Sequence, residues 1–369
     1  MRIAFAAGGT GGHILPALSV ADELRARVSG LETLFIGTRY GLERTLVPAA
    51  GYEIRYISAR GVRGKGAAAR VRSTAGIVVG FFQSLALLSR FKPDIVFGSG
   101  GYASAAVVLA ASFLRKKVVI QEQNSIPGLT NRLLARCARR IYLGFAEASE
   151  HFGNRRGLVV TGNPLRADVV ARGSRDARAE FGLASARPVL LVFGGSQGAR
   201  TLNHAAAEYL LAHPDVQGII QTGEQDYEWV RERLGAQSVR CFVRPYIDAM
   251  HRAYGAASVA LARAGALSVS EIAAVGLPSI LVPYPHAADD HQRHNALFLA
   301  DAGGAIVIED SKLNRDTLAA VLDPLLADPA RLAAMRRSLE KVARRDAAKL
   351  IADDMLALVS THAGGSRNE

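Results

Sequence analysis

The sequence is poor in cysteine, with only Cys137 and Cys241 in 369 residues. One disulfide would do little for a chain of that length, so both read as reduced thiols of a cytosolic protein. Long apolar runs are missing as well. None approaches the ~18–20 residues of a membrane-spanning helix. The opening, MRIAFAAGGTGG, breaks into glycine too early for a signal peptide. A soluble protein of the cytoplasmic compartment is expected. Neither HExxH nor CxxC occurs, so no metal or other cofactor is expected. Thirteen prolines and 36 glycines are too few for a fibrous or disordered chain.

Acid is scarce in one half only. Residues 1–162 carry 22 Lys/Arg against 9 Asp/Glu, and residues 163–369 carry 23 against 24. The net charge of +12 therefore belongs to the first half. A solvated Arg-rich surface is one reading. An anionic partner on one domain, nucleic acid or acidic lipid, is the other.

What the chain does have is a regular alternation. Apolar residues make up 49%, enough for a sizeable core, and the length suggests two or three domains. Short Val/Ile-rich runs recur: RIAFAA, LETLFIG, PDIVFGSG, KKVVIQEQ and RRIYLGF, then PVLLVFGG, VQGIIQTG, VRCFVRPY, ASVALARAG, PSILVPYP and GAIVIED. Runs apolar on both faces, with helical stretches between them, predict parallel strands with crossover helices, an α/β class. The halves also rhyme. RIAFAAGGTGGH opens one and VLLVFGGSQGAR the other, each a strand, a glycine turn and a helix. Two Rossmann-like domains follow, 1–162 and 163–342, joined at the turn signal Gly162-Asn163-Pro164.

The glycine turns carry chemistry. A Gly-rich turn before a helix lets backbone N–H groups and the helix dipole meet phosphate. Glycine also serves tight turns and close packing. Three such loops, at 8–12, 98–104 and 194–198, point to an anionic or polar ligand in an interdomain cleft. His13, at a helix start, is either a satisfied structural residue or a neutral imidazole able to take a proton from a hydroxyl. Glu122, Gln123 and Asn124 follow a strand, where ligands of open α/β sheets sit. ALSVSE, 266–271, begins a helix; Glu271 there is either a capping device or a partner for two ribose hydroxyls. Asp289, Asp290, His291, Gln292 and Asn295 cluster after a strand; metal binding is one reading, and a polar loop and helix start is the better one for the aspartates.

A dehydrogenase would also show strand–glycine–helix units. It would carry G-x-G-x-x-G and an acid ending the second strand, but FIGTRYGLE has glycine there. A nucleic-acid binder would explain the basic half, not three glycine loops, so no nucleic acid is expected.

Together GGTGGHILPALSVADEL, SGGYAS, QEQNSIPGLTNR, GNPLR, GGSQGAR, ARAGALSVSEIAAVGLPSILVPYP and DHQRHNA resemble the MurG family. These are the bacterial UDP-N-acetylglucosamine–N-acetylmuramyl-(pentapeptide) pyrophosphoryl-undecaprenol N-acetylglucosamine transferases. The resemblance runs over roughly residues 1–355, in order. It implies a GT-B fold, two Rossmann-like domains facing across a cleft, with the last helix, about 343–360, returning to the first domain. It gives the first domain to the lipid-linked acceptor and the second to UDP-N-acetylglucosamine. It puts Thr10, Gly11 and Gly12 near the diphosphate and sugar, and Asn124 near the transferred sugar. Arg166 would face the nucleotide, Ser196 the diphosphate, and the Ile247 backbone uracil. Ala266, Leu267, Ser268, Val269, Ser270 and Glu271 would form the nucleotide pocket, with Glu271 on the ribose. Gln292 would read sugar hydroxyls. The α-linked donor and β-linked product imply inversion, with His13 or Glu122 as the base. Asp289-Asp290 is not the D-x-D pair of many metal-using glycosyltransferases.

A polyprenyl-linked acceptor must be met at a bilayer. Residues 54–93 hold eight Lys/Arg (Arg55, Arg60, Arg63, Lys65, Arg70, Arg72, Arg90, Lys92) and no acid, around the apolar stretch 75–89. On a helix, Ile77, Phe81 and Leu85 share a face that Val78 and Phe82 widen. Core packing accounts for part of it. Ile77, Phe81 and Phe82, aided by Arg115, Lys116 and Lys117, are expected to seat the first domain on anionic lipid at the cytoplasmic face of the inner membrane, peripherally.

Overall fold

The computed structural model describes residues 1–59, 67–171 and 177–360, with backbone alone for 67–75, 237 and 238. The chain divides into two units, Met1–Arg166 with Arg345–Glu369, and Ala167–Arg344.

The first unit is built on seven strands. They are β1 (Arg2–Ala6), β2 (Glu32–Gly37), β3 (Ile54–Tyr56), β4 (Ile95–Gly98), β5 (Lys117–Glu122), β6 (Arg140–Leu143) and β7 (Leu158–Val160). Their order is β3-β2-β1-β4-β5-β6-β7, and every pairing is parallel. The sequence runs anticipated five of them. The two missed, β3 and β7, have three residues each and close the sheet at its edges. An edge strand needs only one neighbour, so it needs no long apolar run.

Period-two alternation loads both faces. Ile3 and Phe5 of β1 point to one core with Phe35 and Phe97, while Ala4 and Ala6 point to the other. Phe5 stacks on Phe35 with ring centroids 4.9 Å apart. The first face is covered by α1 (Gly11–Arg27) and the closing helix Ala347–Ser360. Ile351, Ala352 and Met355 of that closing helix are fully buried, and full burial of an Ile or Met side chain contributes roughly 1.5–3 kcal/mol. Polar contacts fix its place. Asp354 accepts from Arg140 Nε at 3.1 Å and from the buried Tyr142 hydroxyl at 2.9 Å, and Asp353 pairs with Arg27. Burial, with Asp354 beside it, pushes the Tyr142 hydroxyl far up from its usual range. After β2 the chain forms α2 (Glu43–Ala49), and the second face carries α3 (Ala67–Phe91) and α4 (Gly101–Phe113).

The second unit repeats the plan with β8 (Val189–Phe193), β9 (Gln217–Gln221), β10 (Cys241–Arg244), β11 (Val259–Ala262), β12 (Ser279–Leu281) and β13 (Ala305–Val307). All six fall in the expected runs. They form one parallel sheet in the order β10-β9-β8-β11-β12-β13. Cys137 and Cys241 are both free thiols. No helix among the described residues is long and apolar enough to cross a membrane.

The face expected to meet lipid needs a correction. Gly80, Ser84 and Leu88 of α3 turn to the core. Gly80 brings the helix within packing distance of Ala106 of α4. That rotation leaves Ile77 and Phe81 half-buried. Phe81 packs on the core with its ring edge-on to Phe113, 6.1 Å away. The outward apolar groups are Phe82 (63% exposed), Phe113 (72%), Val78 and Val79. Lys117 is also otherwise engaged, its ammonium donating to the Leu358 carbonyl at 2.7 Å. Arg115, Arg90 and Lys92 are exposed and Lys116 half-buried. Arg60, Arg63 and Lys65 lie outside the described residues, as do the side chains of Arg70 and Arg72.

Candidate active site

In each sheet the strand order reverses once: between β1 and β4 in the first unit, and between β8 and β11 in the second. The carboxyl ends of strands at such a point leave a crevice, because the following helices go to opposite faces. The glycine loops occupy both places.

In the first unit, the loop after β1 runs through Gly8 and Gly9 to Thr10, which caps α1. Gly11, Gly12 and His13 form the first turn, and His13 N–H donates to Thr10 O. The loop after β4 crosses directly in front of the imidazole. A Cβ on Gly100 (φ 91°) would lie 3.1 Å from the His13 ring. Only glycine fits that approach with that backbone angle. Ser99 Oγ donates to the His13 carbonyl, and the ring Nδ1 lies 3.2 Å from Gln123 Oε1.

Glu43 was not legible as part of this loop. Its carboxylate is fully buried. Oε2 accepts from Gly9 N–H at 2.9 Å; Oε1 accepts from Thr38 N–H at 2.9 Å and Thr38 Oγ at 2.7 Å. An acid in the first turn of α2 was the only signal, and most such residues serve the helix dipole in solvent.

Glu122 lies at the carboxyl end of β5, but it is not placed as a base. It is 1% exposed. Its oxygens accept from Asn124 N–H at 2.9 Å and Nδ2 at 3.3 Å, from Gly128 N–H at 3.1 Å and from Asn131 Nδ2 at 2.9 Å. Burial pushes its carboxyl up from the usual range, and these donors pull it back. The carboxylate therefore folds the 122–131 loop and sets Asn124. Arg166 is the last residue of this unit before the crossing.

In the second unit, Ser196 lies exposed at the tip of the loop after β8, which leads to the helix Arg200–Ala212. The loop is pressed onto the end of β9. A Cβ on Gly198 would sit 1.8 Å from Thr222 O, so only glycine is possible. Gln221 ties this loop to Ile247. Its Nε2 donates to Gly195 O at 3.0 Å, and its Oε1 accepts from Ile247 N–H at 2.9 Å. The Ile247 N–H is thus taken, and its carbonyl is the backbone group that suits the N–H of a uracil.

After β11, Gly265 caps the helix Ala266–Val275. Ala266 and Val269 are buried on its inner face, so they offer only backbone. Leu267, Ser268, Ser270 and Glu271 are on the partly exposed side. Glu271 Oε2 accepts from the buried Tyr254 hydroxyl at 2.7 Å. Tyr254 comes from the helix Met250–Ala256 and was not foreseen. After β12, the Gln292 Oε1 accepts from Tyr284 N–H at 2.9 Å. That pins the amide with its NH2 turned the other way. Asp289 and Asp290 both take left-handed φ, 50° and 51°, in the turn before the helix His291–Asp301 that carries Gln292.

Residues 3–143 match the glycosyltransferase family 28 N-terminal domain, and residues 189–351 the glycosyltransferase family 28 C-terminal domain. A Geobacter metallireducens protein named UDP-N-acetylglucosamine–N-acetylmuramyl-(pentapeptide) pyrophosphoryl-undecaprenol N-acetylglucosamine transferase is 42% identical over 363 residues, covering 96% of this chain and 98% of its own. A protein of the same name from Chlorobaculum tepidum is 42% identical over 366 residues, covering 97% and 99%. The crystal structure of Acinetobacter baumannii MurG is similar at a TM-score of 0.75 and 30% identity, over 96% of this chain and 99% of that one. S. aureus MnaA with UDP has the same fold at a TM-score of 0.70 and 15% identity, over 97% and 98%.

Proposed function

The chain belongs to the MurG family within glycosyltransferase family 28, and we propose that it moves N-acetylglucosamine from UDP-N-acetylglucosamine to the 4-hydroxyl of the muramyl sugar of undecaprenyl-pyrophosphoryl-N-acetylmuramyl-pentapeptide, with inversion. The enzyme is a hexosyltransferase of peptidoglycan synthesis. One observation carries the assignment of the sites: the family's motif loops flank the reversal point of each parallel sheet, where open α/β sheets bind ligands.

Inversion is a single displacement. The acceptor hydroxyl attacks the anomeric carbon as UDP leaves the opposite face. A base must take the hydroxyl proton, and positive potential must meet the leaving diphosphate. In this reading His13 is the base. A neutral imidazole there can accept the proton of a hydroxyl. Thr10, Gly11 and Gly12 sit beside it on the sugar and diphosphate, and Asn124 on the transferred sugar. Glu122, saturated by its own loop, serves Asn124 rather than the proton. The second unit holds the donor. Ser196 and the helix N-terminus behind it meet the diphosphate, as does Arg166. The Ile247 carbonyl meets uracil, Glu271 the ribose hydroxyls, and Gln292 the sugar hydroxyls. A carboxylate suits a diol, and a planar amide suits sugar hydroxyls.

The first unit meets the membrane in the same reading. Val78, Val79, Phe82 and Phe113 form an outward apolar group, and Arg90, Lys92 and Arg115 lie on the same two helices or just beyond their ends. Such a surface suits anionic lipid headgroups with shallow insertion.

The direct test is incubation with a panel of UDP-sugars and lipid-linked acceptors, followed by mass analysis. One N-acetylhexosamine added to the muramyl lipid, from UDP-N-acetylglucosamine alone, is expected. Transfer of another sugar, or to another lipid, overturns the assignment.

A further inference from the structure

Four amide and hydroxyl side chains lie buried behind His13, and the family's motifs give them no role. They are Gln121 and Gln123 at the end of β5, Ser99 after β4, and Asn163 in the turn after β7. Their hydrogen bonds admit one arrangement.

An amide's two ends look alike, so its orientation must come from a neighbour that can only accept. Gln123 has such a neighbour: its Nε2 faces the Ser99 backbone carbonyl at 2.9 Å. A carbonyl cannot donate, so the NH2 end is there and Oε1 is the end at His13 Nδ1, 3.2 Å away. A second route gives the same answer independently. Asn163 Nδ2 faces the Gln123 backbone carbonyl at 3.0 Å, which fixes Asn163. Its Oδ1 then accepts from Gln121 Nε2 at 2.9 Å, which fixes Gln121. The Gln121 Oε1 is left to accept from Gln123 Nε2. Both routes turn Gln123 Oε1 towards the imidazole.

An amide oxygen only accepts. His13 Nδ1 must therefore carry the hydrogen, and in the neutral ring the lone pair is then on Nε2. We propose that Gln123, locked by Ser99 and by the Asn163–Gln121 pair, is a positioning residue that holds His13 as the Nδ1–H tautomer, making Nε2 the nitrogen that takes the acceptor proton. The last clause rests on His13 being the base. The tautomer itself does not. The arrangement does for a neutral histidine what a carboxylate does in a Ser-His-Asp triad, but without adding charge. It also gives Asn163 of the Gly-Asn-Pro turn a job. Asn163 sets Gln121 in β5, Gln121 sets Gln123, and Gln123 sets the histidine after β1.

The test needs no variant at first. The full chain is labelled with 15N-histidine, and ring-nitrogen correlations are recorded near pH 8.5, where imidazoles are neutral. His13→Ala identifies the His13 signals by their disappearance. The expected pattern is a protonated Nδ1 and a lone-pair Nε2. The opposite pattern in the unaltered protein overturns the proposal. Gln123→Met, close in shape but without the acceptor, is then expected to mix or reverse the pattern. Turnover should fall at least tenfold, within the roughly 10⁴-fold loss that a wrong tautomer can cause, with KM for UDP-N-acetylglucosamine within about twofold. A folded Gln123→Met that retains both pattern and turnover overturns the proposal. Normal turnover in His13→Ala fails the base reading instead, while the wild-type spectrum still decides the tautomer.

Discussion

Glu43 offers a sharp perturbation, because its two oxygens do different work. Oε1 holds Thr38 through two donors, and Oε2 holds the Gly9 N–H of the glycine loop. Glu43→Gln keeps the shape but turns one acceptor into a donor. The amide will turn so that its oxygen keeps the two Thr38 bonds. Its NH2 then faces Gly9 N–H, donor against donor, at the partly buried end of the carboxyl group. A hydrogen bond to a charged group contributes about 1.5–3 kcal/mol, and the bond to Gly9 is the one lost. For a unit of this size that is roughly a 3–12 °C fall in the midpoint of thermal unfolding. The effect should also be local. The loop carrying Thr10 to His13 loosens, so turnover falls, while UDP affinity, which the proposal gives to the second unit, stays within about twofold by calorimetry. Unchanged melting and turnover in Glu43→Gln would refute the claim that this carboxylate holds the loop.

Glu271→Ala should raise KM for the donor by roughly 10–100-fold, the equivalent of losing a charged hydrogen bond; Tyr254→Phe, which frees rather than removes the carboxylate, should raise KM a few fold in steady-state assays and leave kcat alone. Gln292→Ala should narrow the discrimination between UDP-N-acetylglucosamine and its 4-epimer, measured by competition between the two donors. His13→Ala should lower turnover by about 10²–10⁴-fold with UDP binding intact; loss of UDP binding instead makes it a binding residue. In vesicle sedimentation, binding should rise with acidic lipid and fall with salt. It should weaken in a folded Phe82→Ser, Phe113→Ser variant, whereas equal binding to neutral and acidic vesicles removes the lipid reading.

Most of the sheet was legible because parallel strands buried on both faces are continuous Val/Ile runs, as in VLLVFGG and ASVALARAG. The edge strands IRY and LVV were not, since neither has a fully buried residue or a longer apolar run around it, whereas the equally short edge strand AIV lies within GAIVIED. The site was half legible. Glycine loops, His13, Glu271 and Gln292 stand at strand-to-helix junctions, which local sequence can mark. Their supports do not. Glu43, Gln221 and Tyr254 meet their partners only through tertiary folding. Gln221 reads as one more residue of a strand and Tyr254 as one more of a short helix. Glu122 stood as the second candidate base because a carboxylate beside a glycine-rich loop looks the same in sequence whether it is open to a ligand or hydrogen-bonded within its own loop, as it is here. On α3 the apolar residues wrap too far round the helix for periodicity to choose a face. The close approach at Gly80 and the Phe81–Phe113 contact made that choice.

The central claim is inverting transfer to one hydroxyl, and the structure of the product decides it. The muramyl lipid is incubated with UDP-N-acetylglucosamine and the enzyme, and the isolated product is analysed by NMR for anomeric configuration and linkage position. A single β-linked N-acetylglucosamine on the muramyl 4-hydroxyl is the expected result. An α-linkage, attachment at another oxygen, or conversion of the donor sugar without any acceptor would contradict it.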